Sequence, residues 1–189
     1  MFAYLSNIPQ NSYTLAIQLM FCLDIRIGEL KALRWTDYDE KKGQIYIHSQ
    51  IVDRKDESGK WTQVELDYTK SGEDGDRKLP VSSKAKSILE QLKDRNPNGE
   101  FILVNGAGTI LKTNKFNENL KKYCEASGIR YLSSHKIRFY AVTEQARAGL
   151  DLAKIQYNSG HKCKSTTLHY IRNASNDAVS DDRWEKVFG

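Results

Sequence analysis

The sequence predicts an α+β domain that is mainly α-helical, with a small three-stranded antiparallel β-sheet in its N-terminal half. Three observations predict it. Apolar residues recur at helical spacing through most of the chain, between capping residues and glycine or proline stops. The apolar–polar alternation of half-buried strands is confined to 44–81. The length, 189 residues, suits one domain with at most a short appendage.

The segment 1–5 reads as the end of a helix whose beginning is absent, broken by Asn7-Ile8-Pro9. Ser12 can cap a helix carrying Leu15, Ile17, Leu19, Met20, Phe21 and Leu23, apolar on most sides and so expected at the centre. A second helix follows Asp24-Ile25-Arg26-Ile27-Gly28-Glu29-Leu30 and ends near Trp35. At that junction Arg26 and Glu29, three apart, share a face if the turn is helical. An arginine beside so apolar a helix is costly unless it is paired or aimed at a ligand.

Residues 44–53 (QIYIHSQIVD) and 61–68 (WTQVELDY) alternate as strands, and 77–81 forms a third, after a hairpin turn at 69–76 that carries Lys70 at its tip. Ser82 or Ser83 caps a helix through Lys93, which Asn96-Pro97-Asn98-Gly99 ends. Asn105-Gly106-Ala107-Gly108 is no phosphate loop, because no Gly-Lys-Ser/Thr follows it. Thr113 can cap a basic helix over 114–126, and helices are expected over 134–148, 151–158 and 165–171, with a weaker one over 181–187.

Composition narrows the function classes. With 39% hydrophobic and 28% charged residues the chain is of ordinary globular type, and its longest apolar run, 15–23, is too short to cross a bilayer. No signal peptide opens it, so a cytoplasmic protein without a membrane partner is expected. Cys22, Cys124 and Cys163 match no zinc spacing and are expected to be reduced. A net charge of +5 permits a polyanionic partner without requiring one. Lysines and arginines concentrate over 112–138.

The chemistry gathers over 133–172. It holds His135 and Arg138, then Gly160-His161, then Tyr170 nine positions after that second histidine. On a helical wheel over 134–148, Lys136, Tyr140, Thr143, Glu144 and Arg147 share the solvent arc, whereas His135 and Arg138 fall in the apolar arc. A charged pair on a helix ordinarily marks a solvated face; this pair is placed on the burial side, as an interior anion site requires. Arg26 and Arg138 could clamp both non-bridging oxygens of one phosphodiester. No aspartate-rich metal cluster stands in the sequence, so the arginines would neutralise the charge that a metal ion neutralises elsewhere. Tyr170 is the candidate nucleophile, His135 and His161 the available imidazoles, and Lys70 the proton donor for the departing sugar oxygen. His169 and Tyr157 stand nearby as competing candidates, and His48 and His169 read as structural or surface residues.

These residues carry a resemblance. Arg26-Ile27-Gly28-Glu29-Leu30 with Leu33-Arg34-Trp35, Thr69-Lys70-Ser71 with Arg77-Lys78-Leu79-Pro80, His135-Lys136-Ile137-Arg138, and Gly160-His161 with Thr166, Thr167 and Tyr170 resemble, in order, the boxes of a tyrosine recombinase catalytic domain of the phage and conjugative-element integrase kind. Each box alone is weak; six matching residue types in order are not. Lys136-Ile137, Phe139-Tyr140 and Asn158-Ser159 depart from the usual pattern without removing a catalytic group.

The resemblance implies the fold of that catalytic domain over 1–175, and a tail, 176–189, that docks on a neighbouring subunit or folds back on its own domain. It implies that the core-binding and arm-binding domains of such integrases lie outside this chain. It implies site-specific strand exchange in double-stranded DNA at attachment sites, through a 3′-phosphotyrosine and a Holliday junction, with no metal, ATP or other cofactor. The catalytic set would be Arg26, Lys70, His135, Arg138, His161 and Tyr170, with Glu29 supporting Arg26. The chain would be a monomer alone and a tetramer on DNA, with accessory DNA-bending or directionality proteins as further partners. Two other readings share features with it: a type IB topoisomerase-like nicking and closing activity, and a catalytically silent DNA-binding module.

Overall fold

The computed structural model describes residues 1–72 and 75–174, and for Tyr170 and 172–174 the backbone alone. The expected tail at 176–189 and its helix lie outside the described residues. In chain order the elements are α1 (Phe2–Ser6), α2 (Ser12–Leu23), α3 (Ile27–Ala32), a 3-10 turn at Trp35–Asp37, β1 (Tyr38–Asp39), β2 (Gln44–Ile47), β3 (Gln50–Lys55), β4 (Trp61–Leu66), β5 (Arg77–Pro80), α4 (Ser83–Arg95), α5 (Thr113–Ala126), α6 (Ser134–Arg147), α7 (Leu152–Ser159) and α8 (Lys164–Ala174). The mainly helical α+β class is the one expected.

Helix α2 is central, as its all-round apolarity demands. Leu15, Ile17, Leu19 and Met20 are buried among Leu89 and Leu92 of α4, Phe116 and Leu120 of α5, Ile137 of α6, and Ile45, Ile47 and Leu79 of the strands. Its one mid-helix polar side chain, Gln18, is satisfied by Gln10 and the Thr14 carbonyl. The cap is Asn11 rather than Ser12: the Asn11 side chain accepts from the amides of Tyr13 and Thr14, and the Thr14 hydroxyl accepts from the Asn11 amide. Either residue type can cap, and threonine three positions on decides for Asn11. Ser82 caps α4 as expected.

The sheet departs from its expected make-up. The run 44–53 is not one strand; it breaks at His48-Ser49 into β2 and β3, which serve different sheets. The three-stranded sheet is β1-β2-β5, with Ile45 opposite Leu79 and Ile47 opposite Arg77, and β3 pairs with β4 in a separate two-stranded ribbon. Alternation reports which face of a strand is buried, not which neighbour supplies its hydrogen bonds, so it could not choose between β4 and β2 as the partner of β5. As a consequence Lys70 does not sit at the tip of a paired hairpin. It lies in a tight turn closed by the Gly72 amide on the Thr69 carbonyl, between the buried residues Thr69 and Ser71.

Candidate active site

A cleft of about 630 Å³ opens between α3, β3, the 69–72 turn, the start of α6 and the α7–α8 junction. Arg26, Lys70, His135, Arg138 and His161 all line it, brought together from positions up to 135 residues apart. Tyr170 stands on α8, the helix that begins three residues after His161; its side chain lies outside the described residues.

The floor of the cleft is a cluster of buried charge. Glu29, fully buried, is 2.7 Å from Arg26, 2.9 Å from Arg77 and 3.9 Å from Arg138. It also accepts from the Arg26 amide, so it doubles as the capping acid of α3. Burial pushes the Glu29 carboxyl up, but the charge and hydrogen bond of Arg77, then Arg26 and Arg138, outweigh it and bring it down to about 2. One carboxylate therefore anchors three guanidinium groups and leaves positive charge in excess. Arg26 keeps 23% of its side chain exposed toward the cleft, whereas Arg138 is buried.

The second anchor is the C-terminal turn of α7, where helix carbonyls have no intrahelical partner. Three consecutive ones each take an arginine. Arg77 Nε donates to Asn158 O at 2.7 Å, Arg138 Nη2 to Ser159 O, and Arg26 Nη2 to Gly160 O at 3.1 Å. Ser71 Oγ reaches the same Gly160 oxygen at 2.9 Å, which ties the Lys70 turn to the strip. Gly160 has φ +57°, and a β-carbon there would lie 2.8 Å from Arg77 Nη1. The glycine is required twice over, by the backbone and by the buried guanidinium against it.

His161 is half-buried and shares a 3.1 Å hydrogen bond between Nδ1 and Thr167 Oγ1. Burial lowers its pKa, and the charges of Arg138, Arg26 and Arg77 lower it further, to about 4. The ring is neutral at neutral pH. Burial likewise brings the Arg138 guanidinium down, to about 10, against the pull of Asp24, which leaves it cationic.

The helical wheel is corrected at two positions. His135 is exposed rather than interior: it sits in the first turn of α6, at the rim of the cleft. Thr143, assigned to the solvent arc, is 6% exposed and donates to the Phe139 carbonyl. Arg138 is buried as predicted. The cap expected from Thr113 is also absent: α5 begins after Lys112, and the Thr113 hydroxyl accepts instead from Lys31 Nζ at 2.9 Å.

Sequence reasoning missed four residues. Arg77 opens a strand and belongs to the box after Lys70, but nothing local gives it a role, and its side chain is buried against Glu29. An arginine at an inward position of an alternating strand, two before Leu79, was the available signal. Asp24 and Ser159 are buried and bonded to each other at 2.5 Å, a pairing across 135 positions that no local pattern marks. Lys31, 1% exposed, pairs with Asp53 at 3.1 Å; a lysine in the apolar run of α3 was its signal. Among the described residues no three His, Cys, Asp or Glu side chains converge as a metal site needs, and no helix is long and apolar enough to cross a membrane.

The model of the phage integrase family matches residues 3–177. The chain belongs to that family. Among curated relatives, a tyrosine recombinase XerC from Roseiflexus sp. (strain RS-1) is 27% identical over 163 residues, covering 82% of this chain and 45% of the relative. The transposase from transposon Tn916 of Enterococcus faecalis is 25% identical over 179 residues, covering 86% of this chain and 42% of that one. The chain thus spans less than half the length of these family members. Among solved structures, a Tn1549 transposon integrase in complex with a circular intermediate DNA superposes with a TM-score of 0.73 at 21% identity, over 89% of this chain and 58% of that one. The XerA recombinase superposes at 0.69 and 19% identity, over 99% and 60%. The fold is that of tyrosine recombinase catalytic domains.

Proposed function

We propose that this chain is the catalytic domain of a site-specific DNA recombinase that cuts and rejoins strands through a 3′-phosphotyrosine. The observation that carries the reading is the convergence of Arg26, Lys70, His135, Arg138 and His161 on one cleft beside the helix that bears Tyr170. Membership of the phage integrase family supports it.

In this reading a phosphodiester of double-stranded DNA enters the cleft and its non-bridging oxygens face Arg26 and Arg138. The excess positive charge left by one Glu29 among three arginines is preorganised for the charge that grows on those oxygens. The Tyr170 oxygen attacks phosphorus, and the bond to the 5′-oxygen breaks. Lys70, exposed at the cleft wall, gives that oxygen its proton. His161, neutral at working pH, hydrogen-bonds the phosphate, while His135 at the rim takes the tyrosine proton. The free 5′-hydroxyl of a partner strand then reverses the steps. The ester keeps the energy of the broken bond, so the exchange draws on no metal, ATP or other cofactor. Residues 1–175 form the catalytic domain and 176–189 a tail for cis or trans docking. Assembly as a tetramer on attachment sites, with accessory DNA-bending proteins, in the cytoplasm, completes the proposal.

A pool of nicked duplexes of randomised sequence, in which the released 5′ fragment diffuses away, tests it. The chain should become covalently attached to DNA at a tyrosine, and Tyr170→Phe should abolish the adduct. An adduct that persists in Tyr170→Phe would remove the nucleophile assignment. Binding should weaken steeply with salt, as phosphate contacts require.

A further inference from the structure

The Arg138 guanidinium is held between two main-chain oxygens from distant parts of the chain. Nη1 donates to Asp24 O at 3.2 Å, and Nη2 donates to Ser159 O. Those same two residues are joined to each other by a second route, since Ser159 Oγ donates to Asp24 Oδ2 at 2.5 Å. A closed ring results, in which the Asp24–Ser159 bond sets the spacing of the two carbonyls that grip Arg138. The residue after Ser159 is Gly160, whose carbonyl takes Arg26 and Ser71, and the next is His161.

We propose that Asp24 and Ser159 are a positioning pair whose mutual hydrogen bond sets the orientation of Arg138 and, through the α7 C-terminal turn, of Arg26 and His161. The inference rests on the recombinase reading above. Neither residue lines the cleft, and both are buried, at 4% and 0% exposure, so neither touches DNA. Their effect must pass through the arginines.

Two features of Asp24 argue that the carboxylate is there for this purpose rather than for the backbone. It ends α2 at φ +52°, the one non-glycine residue in the left-handed region among the described residues, where glycine is the undemanding choice. Its second oxygen, Oδ1, is buried without a hydrogen-bond partner among the described residues. A side chain that adds backbone strain and an unsatisfied acceptor is a poor helix stop. It is a good fixed point for Ser159 and for Gln145, whose Nε2 also donates to Oδ2 at 2.9 Å.

Three variants of the 189-residue chain test the pair. Ser159→Ala deletes one oxygen, Asp24→Gly suits the positive φ, and the third combines them. For each, the single-turnover rate of covalent adduct formation is measured at saturating nicked-duplex pool, alongside DNA affinity and thermal midpoint. Each single variant should cleave about tenfold or more slowly, with DNA affinity changed by less than about twofold, because a misplaced arginine costs the transition state rather than binding. The double variant should be no slower than the slower single, since either change opens the same ring. Wild-type rates in folded Ser159→Ala, affinity losses equal to the rate losses, or rate losses that multiply in the double variant would each overturn the pair. A wild-type chain that forms no adduct at all would overturn the recombinase reading and this inference together, which separates the two failures.

Discussion

Glu29 and Lys31 stand two residues apart on the short helix α3, both buried, and they solve the problem of buried charge in opposite ways. Glu29 points into the cleft floor among three arginines and leaves positive charge over. Lys31 reaches instead to a single carboxylate, Asp53, and the Thr113 hydroxyl, both in the cleft wall, and is balanced. Asp53 keeps 28% of its side chain exposed, so water can serve it if the lysine is lost. No water reaches the arginines' carboxylate. The difference teaches that the over-charged cluster is built to receive an anion, whereas the balanced pair, though Asp53 and Thr113 border the same cleft, leaves no charge over and joins α3, β3 and α5.

The sharpest way to break this contrast is to neutralise Glu29. Glu29→Gln leaves three guanidinium groups facing one another without their buried counter-charge and should cost about 3–5 kcal/mol, read by denaturant unfolding. A cost below about 1 kcal/mol would mean that the cluster is not held by Glu29.

Acid titration separates the cluster's two carboxylates by sign. Glu29 has a folded pKa depressed from 4.5 to about 2, so it contributes stability above pH 4.5 that is lost as pH falls through 2. Asp24 is raised by burial from 3.8 to about 6, despite the charges of Arg138 and Arg77 and the hydrogen bonds from Ser159 and Gln145. Its contribution is present below pH 3.8 and lost as pH rises through 6. The stability of wild type relative to Asp24→Asn should therefore fall by about 2–3 kcal/mol between pH 3.5 and pH 7, read from urea curves at each pH. A flat difference would show that Asp24 does not change its charge there.

Gly160→Ala forces a β-carbon into a positive-φ position against Arg77 and should cost about 1–3 kcal/mol, together with a loss of adduct formation. The smallest effect is expected at the balanced pair. Lys31→Met replaces the buried ammonium by an apolar chain of similar length and leaves Asp53 to water, so it should change stability by less than about 1 kcal/mol, with cleavage intact. A loss as large as that of Glu29→Gln would erase the distinction between the two regions.

Much of the site was legible because its chemistry lies in short boxes. Arg26 with Glu29, His135 with Arg138, and Gly160-His161 each sit within one turn of chain, and local spacing delivers them correctly to helix starts and ends. Errors came where a partner outside the window decides the outcome. The wheel over α6 placed His135 inside because a wheel treats every turn alike, and this first turn opens on the cleft rim. The strand at 44–53 read as continuous because nothing in its alternation records that β5, not β4, pairs beside β2. The role of Arg77 was not legible because the carboxylate it serves stands 48 positions earlier.

By itself the sequence determined the helical class, the central place of α2, the burial of Arg138 and the candidate catalytic set, since periodicity, capping and residue type are local properties. Only the tertiary structure decided that Arg77 joins Arg26 and Arg138 on Glu29, that three successive α7 carbonyls take those arginines, and that Asp24 meets Ser159. These are bonds between groups 21 to 135 residues apart. They form because a helix end buried against a charged cluster must satisfy its carbonyls with whatever donors the fold brings near.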